Sequence, residues 1–178
     1  MKRSLALAAL YFFALALPSA AQTDADEELR LAKFKAIFIY NFIEYVRWPE
    51  DKSKGPLVVG ILGQSNVEPY LRRIVATHKE DKRPIIIEVY ETAKSDLSSC
   101  HLLFVTADFD EKIDQLYAKW AASHVMLVGE AEDSAAKGAS IRFKLVDGKL
   151  KFEISTKNLR ATDLSMSSHL LRLGLSVD

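Results

Sequence analysis

Lys35-Ala-Ile-Phe-Ile-Tyr-Asn-Phe-Ile-Glu-Tyr-Val-Arg-Trp-Pro49 is the most apolar and aromatic stretch of the chain beyond its N-terminal leader, and its period is helical. At about 100° per residue, Leu31, Phe34, Phe38, Ile39, Phe42, Ile43, Tyr45 and Val46 fill roughly half of a helical wheel, leaving Lys33, Tyr40, Glu44 and Arg47 as a narrow polar stripe. A helix so patterned packs across a sheet and is mostly buried. Lys35 falls inside the apolar arc, between Phe42 and Val46. Two readings stand: its stem lies on apolar surface while the ammonium reaches water, or it is a buried cation awaiting an anion. Pro disfavours the α region for the residue before it, so Trp48-Pro49 is expected to end the helix.

Outward from this stretch, the first residues are a separate matter. Lys2 and Arg3 precede an apolar or small run from Leu5 to Leu17, followed by Pro18-Ser-Ala-Ala21. This is the pattern of a secretory signal cleaved after Ala21, and the run is shorter than the ~20 residues a membrane span needs. The expected organisation is a signal peptide over 1–21, a mobile polar lead-in and helix start over 22–32, and one domain over 33–178. The 178 residues carry 24 basic and 24 acidic side chains, and losing Lys2 and Arg3 leaves a small acidic excess. A nucleic-acid binder usually carries the opposite balance. The one cysteine, Cys100, has no internal disulfide partner, and a free thiol in an oxidising compartment is expected to be buried at a strand start.

Past Asp51 to Pro56, Leu57-Val-Val-Gly-Ile-Leu62 reads as a strand apolar on both faces, which belongs in the middle of a helix-covered sheet. Gly63-Gln-Ser-Asn66 turns into a helix over about 67–78. A charged loop from Lys79 to Arg83 leads to a strand over Ile85-Ile-Ile-Glu-Val-Tyr90. His101 to Thr106 is a third strand, Asp110 to Ala122 a helix, and His124 to Val128 a fourth strand. Strands alternating with helices at these lengths imply parallel crossovers.

The pattern changes after Gly138. Ile141, Phe143 and Leu145 alternate with charged residues, Asp147-Gly148 turns, and Leu150, Phe152 and Ile154 alternate again. This is a hairpin with its register set by a two-residue turn. Arg142 should face Glu153, a favourable pair, and Lys144 should face Lys151, an unfavourable one. These charges are either an edge that discourages aggregation or a partner-binding surface. Lys157 to Leu175 reads as a final helix packed back on the sheet. The expected fold is therefore α/β, a single-domain mixed sheet of about six strands, with parallel βα units plus a C-terminal antiparallel hairpin, between helical layers.

Catalytic signatures are weak. His78, His101, His124 and His169 form no paired metal motif, and with one cysteine a zinc site is not supported. Gly63-Gln-Ser65-Asn-Val67 has the serine of a nucleophile elbow without its second glycine. Gly129-Glu-Ala-Glu-Asp133 lacks the spacing of a calcium loop. No catalytic residue, metal or cofactor is implied, and turn residues, caps and solvated charges account for these features.

Lys35 to Pro49 resembles the opening signature of the YfiR family, a Lys-Ala-x-Phe-Leu-Tyr-Asn-Phe run ending in Trp-Pro. Val58-Val-Gly-Ile-Leu-Gly63, Cys100-His-Leu-Leu-Phe104, Met126-Leu-Val-Gly129 with Gly138, Phe152-Glu-Ile154 and Leu164-Ser-Met-Ser-Ser-His-Leu-Leu-Arg-Leu173 resemble further family segments in the same order. The resemblance spans about Lys33 to Leu175. It implies a non-catalytic periplasmic regulator that binds and restrains the periplasmic part of a membrane-bound diguanylate cyclase, lowering cyclic-di-GMP and biofilm formation. The best-known members carry paired cysteines linked to redox sensing. With Cys100 alone, disulfide control within one chain is excluded and an intermolecular bridge stays open.

The residues expected to touch a partner are Arg142 and Glu153 on the outward face of the hairpin, then Asn158, Leu159 and Arg160. Leu159 either anchors an interface with charges at its rim or packs under the hairpin. Besides a cyclase, a sensor kinase or an outer-membrane lipoprotein fits as partner, and a homodimer is compatible. Two other functions remain: a small-ligand sensor using the strand ends at Gly63 to Asn66 and Thr106 to Asp108, and a hydrolase using Ser65.

Overall fold

The computed structural model describes residues 20–77 and 83–177, with side chains from residue 24 onward. The leader up to residue 19, His78 and most of the expected charged loop lie outside the described residues. In chain order the elements are α1 (Ala20–Tyr45), β1 (Val46–Arg47), β2 (Leu57–Leu62), α2 (Val67–Thr77), β3 (Ile85–Tyr90), β4 (Leu102–Val105), α3 (Ile113–Trp120), β5 (Met126–Gly129), β6 (Ile141–Val146), β7 (Lys149–Ile154), α4 (Thr156–Ala161), β8 (Ser165–Met166), α5 (Ser168–Leu173) and β9 (Leu175–Ser176). Among the described residues, seven strands form one sheet in the order β3-β2-β4-β5-β6-β7-β9, and β1 pairs with β8 in a second, two-stranded sheet. Only the β6–β7 pair of the larger sheet is antiparallel.

Alternation along the strands builds a core on each face. Leu57, Val59, Ile61, Leu102, Phe104, Met126 and Val128 pack beneath α1 and α2. Val58, Leu62, Leu103, Val105 and Leu127 face α3, with Ile113 and Leu116. All of β2 is buried, as a strand apolar on both faces requires. The organising helix clamps onto the hairpin through aromatic edges: Phe38 and Phe42 meet the Phe152 ring at centroid distances of 5.1 and 5.0 Å. Such pairs add about 0.5–1.5 kcal/mol each beyond burial.

Helix α1 departs from its expected orientation, bounds and lead-in. It is rotated so that Tyr40 is buried and Phe34, Ile37 and Tyr45 are exposed. The buried line keeps Ile39, Phe42, Ile43 and Val46 of the expected arc and adds Ala32 and Ala36, whose small side chains permit close approach of the helix to the sheet. The lead-in up to Asp26 is helical and continuous with α1. The helix stops at Tyr45 rather than Trp48, because Val46 and Arg47 extend to pair with Met166 and Ser165.

That pairing also divides the expected final helix. Asp163 adopts the left-handed conformation, φ 55°, between α4 and β8. Ser155 and Ser167 cap the two short helices, accepting from the N–H groups of Asn158 and Leu170. The hairpin register is as expected, Arg142 opposite Glu153 and Lys144 opposite Lys151, through a turn at Asp147 and Gly148 with positive φ at both.

Candidate functional site

The expectation that Arg142 and Glu153 lie on an outward, solvated face is corrected by their burial: each is 7% exposed. They sit on the sheet face opposite Phe143 and Phe152, which pack toward α1, and Glu132, Ala135 and Ala136 of the segment after β5 line the same hollow. Arg142 Nε donates to Glu153 Oε2 at 2.7 Å and its Nη2 donates to the same oxygen, while Lys144 Nζ reaches diagonally to Oε1 at 2.9 Å. Lys144 thereby avoids facing Lys151 uncompensated. Burial works to raise the Glu153 carboxyl, but the bonds from Lys144 and Arg142 outweigh it and hold the group below its ordinary value.

Beside this pair lies a hollow of about 440 Å³, lined by Glu132, Arg142, Glu153, Ser155, Lys157 and Asn158. Asn158 is buried, and its Nδ2 donates to the carbonyls of Ala135 and Ala139 at 2.8 and 2.9 Å, tying α4 to the post-β5 segment. Three of the five residues expected at a partner surface thus line one cavity. Leu159 turns the other way into the core beneath α1, 3% exposed, so its own side chain offers nothing to a partner. Arg160 is exposed on the surface. Lys157 and Ser155 were not singled out from the sequence; the Ser155 cap position was the available signal.

A second concavity forms at the carboxyl ends of the parallel strands. Strand order reverses between β2 and β4, and α2 and α3 leave to opposite faces, which opens a crevice there. Gly63 turns at φ +97°, and a Cβ on it would lie 2.1 Å from Thr106 Oγ1; this close approach explains glycine at that position. Thr106 Oγ1 donates to Leu62 O at 2.9 Å and locks the two strand ends together. The crevice holds a cavity of about 180 Å³ lined by Glu28, Lys35, Ser65, Thr106, Asp108 and Glu130. Lys35 is ion-paired with Glu130, so the cation in the apolar arc has its anion. Asp110, buried, accepts from the Glu130 N–H and from Ser134 Oγ and holds the start of the post-β5 segment.

The remaining expected groups are structural pins. Ser65 Oγ accepts from the Val67 N–H at the start of α2. His101 Nδ1 accepts from the Val58 N–H at 3.1 Å, which assigns its proton to Nε2, facing Lys52 O at 2.9 Å. Burial pushes its pKa down. Cys100 is fully buried just before β4, as expected, with Tyr90 Oη 3.5 Å from its sulfur; burial pushes the thiol pKa up. Among the described residues no group of His, Cys, Asp and Glu could hold a metal ion.

The sequence profile of a family described as YfiR/HmsC-like matches residues 32–174. No curated protein matches the chain. Among solved structures, a conserved domain protein from Vibrio cholerae O1 biovar El Tor strain N16961 is similar with a TM-score of 0.55 at 10% identity. The match covers 82% of this chain and 59% of that one; at this identity the likeness concerns the fold.

Proposed function

The chain belongs to the YfiR/HmsC-like family, and on that premise we propose that it restrains a membrane-bound diguanylate cyclase by docking on its periplasmic part. The family is one of periplasmic regulators of diguanylate cyclase pathways, regulatory rather than catalytic. Among the described residues no helix is long and apolar enough to cross a membrane. On this reading the leader over 1–21 exports the chain and is cleaved after Ala21, and the partner seats on the hollow behind the hairpin.

One observation carries the placement. A charged pair buried at 8% side-chain exposure for each partner has lost most of its hydration, and a buried ion pair is weak evidence for stability, since well-packed apolar residues often serve as well. Here it forms the floor of an open polar hollow rimmed by Lys157 and Glu132. A partner bearing a polar loop would meet the exposed charges at the rim, above a floor whose carboxylate oxygens are already held by Arg142 and Lys144.

The test joins physiology to binding. Deleting the chromosomal gene should raise cyclic-di-GMP, and the purified protein should capture the periplasmic part of a cyclase encoded beside it. Lys157→Glu and Arg160→Glu, both on exposed residues, should weaken capture without altering the fold. Unchanged cyclic-di-GMP on deletion would overturn cyclase restraint; capture of a sensor kinase or an outer-membrane lipoprotein instead would reassign the partner. Full capture by both variants would move the docking surface elsewhere.

A further inference from the structure

The hairpin closes one side of the large sheet with an edge that is only partly covered. Strand β9 pairs with Glu153 and Ile154 alone, so the earlier part of β7 has no strand beside it on the side away from β6 among the described residues. A two-residue turn makes its flanking residues, here Val146 and Lys149, a hydrogen-bonded pair, and such pairs recur at every second position. Lys149, Lys151 and Glu153 therefore turn their peptide groups toward β6, and Leu150 turns its N–H and C=O outward. An unpaired row of this kind is a template for one more strand.

The two faces of this edge differ in chemistry. Register and alternation place Arg142, Lys144, Lys149, Lys151 and Glu153 on one face. Glu153 is the only acid on that face of the two strands, and Arg142 and Lys144 already hold it. Lys149 and Lys151 are exposed and make no ion pair among the described residues. Lys151 also stands opposite Lys144, a like-charged pairing that costs the hairpin stability. On the other face Leu150 is half-buried against the core under α1. Helix α1 meets the hairpin at Arg30, whose Nη2 donates to Gly148 O at 3.4 Å, and at Phe38, 5.1 Å from the Phe152 ring. Phe34, one turn from each, stands between these two contacts and is 41% exposed. Edge lysines keep like strands apart; here they repel a second copy of the same edge and attract an acidic strand.

We propose that the free edge of β7 takes up an extended segment of a protein partner as an added strand, one in which carboxylates alternate with apolar side chains. The carboxylates lie over Lys149 and Lys151, the apolar side chains lie beside Leu150 and Phe34, and the Leu150 peptide groups supply the main-chain bonds. The inference rests on the reading that the partner docks at the hairpin, and it names the chemistry of the segment that does so.

A heptapeptide alternating glutamate with valine, titrated calorimetrically into the purified protein at low ionic strength, tests it without any cyclase present. The expected result is saturable binding with slowed exchange of the Leu150 amide. The double variant Lys149→Glu/Lys151→Glu, at exposed positions where a glutamate facing Lys144 suits the hairpin, should weaken binding about tenfold or more through like-charge repulsion. A lysine–valine peptide should not bind, and neither should the glutamate–valine peptide methylated on its backbone nitrogens, which keeps the charge and loses the donors. No saturable binding, equal binding by either control peptide, full binding by the double variant, or an unprotected Leu150 amide would each overturn the proposal. Binding of phosphatidylglycerol vesicles in place of the peptide would also overturn it and assign the lysines to a membrane surface. Failure of the peptide leaves cyclase restraint standing, whereas unchanged cyclic-di-GMP on gene deletion removes restraint and leaves the strand-adding edge.

Discussion

Arg142 and Glu153 stand directly opposite each other on β6 and β7 and are joined by two hydrogen bonds to a single carboxylate oxygen, the other oxygen being held by Lys144. The pair is buried, so its two members depend on each other more than either contributes alone. Arg142→Met should therefore cost about 3–5 kcal/mol by leaving a buried carboxylate short of its main partner. The double variant Arg142→Met/Glu153→Leu should recover most of that loss. Urea denaturation of both single variants and the double variant decides it; a double-variant loss equal to the sum of the Arg142→Met and Glu153→Leu losses would mean the charges act independently.

Glu153 also sets an acid limit. Its folded pKa is lowered below the ordinary 4.5, so the stability it contributes is fully present above the unfolded pKa. That stability is lost as pH falls through the lower folded value. Unfolding followed at descending pH should steepen below about pH 4.5 in the wild type and less so in Glu153→Gln.

His101 acts in the same direction at a higher pH. Burial depresses its folded pKa from the ordinary 6.5, so the unfolded chain takes up a proton that the folded one refuses, and stability declines as pH drops below the unfolded value. His101→Asn, whose side-chain oxygen can replace Nδ1 as acceptor for the Val58 N–H, should flatten the melting temperature over that range. A profile as steep as that of the wild type would place the titration on another group.

The rotation of α1 makes a direct comparison available. Phe34 and Phe42 both fall in the apolar arc read from sequence, yet Phe42 is fully buried and Phe34 is 41% exposed. Phe42→Ala should cost about 3–5 kcal/mol, whereas Phe34→Ala should stay within about 1 kcal/mol, its half-exposed ring having the Arg30 guanidinium 5.9 Å from its centroid. Comparable losses at both positions would contradict the orientation of the helix.

Cys100, fully buried, should react with a thiol reagent only as fast as the region opens. The intermolecular bridge left open by the sequence should accordingly not form in the native protein. Non-reducing electrophoresis after mild oxidation would show a covalent dimer if it does.

Residue order alone determined the central parallel strands, the helices between them and the hairpin, but not β1, β8 and β9 or the order of the strands in the sheet. Leu57 to Leu62 is apolar at every position and must be an interior strand; Asp147-Gly148 between alternating runs fixes the hairpin and puts Arg142 opposite Glu153. These are local rules, and neighbouring residues suffice to state them. Side-chain alternation cannot say which face of a hairpin is covered, because that depends on where the segment after β5 folds back. Hence the Arg142–Glu153 pair was legible as a pair but not as buried. The same limit applies to Leu159, whose burial follows from the division of the final segment by the β1–β8 pairing, a contact between residues far apart in the chain. At Lys35 the wheel identified a cation in an apolar arc, but only the fold supplied Glu130, because the ends of the parallel strands meet α1 in space and nowhere in sequence.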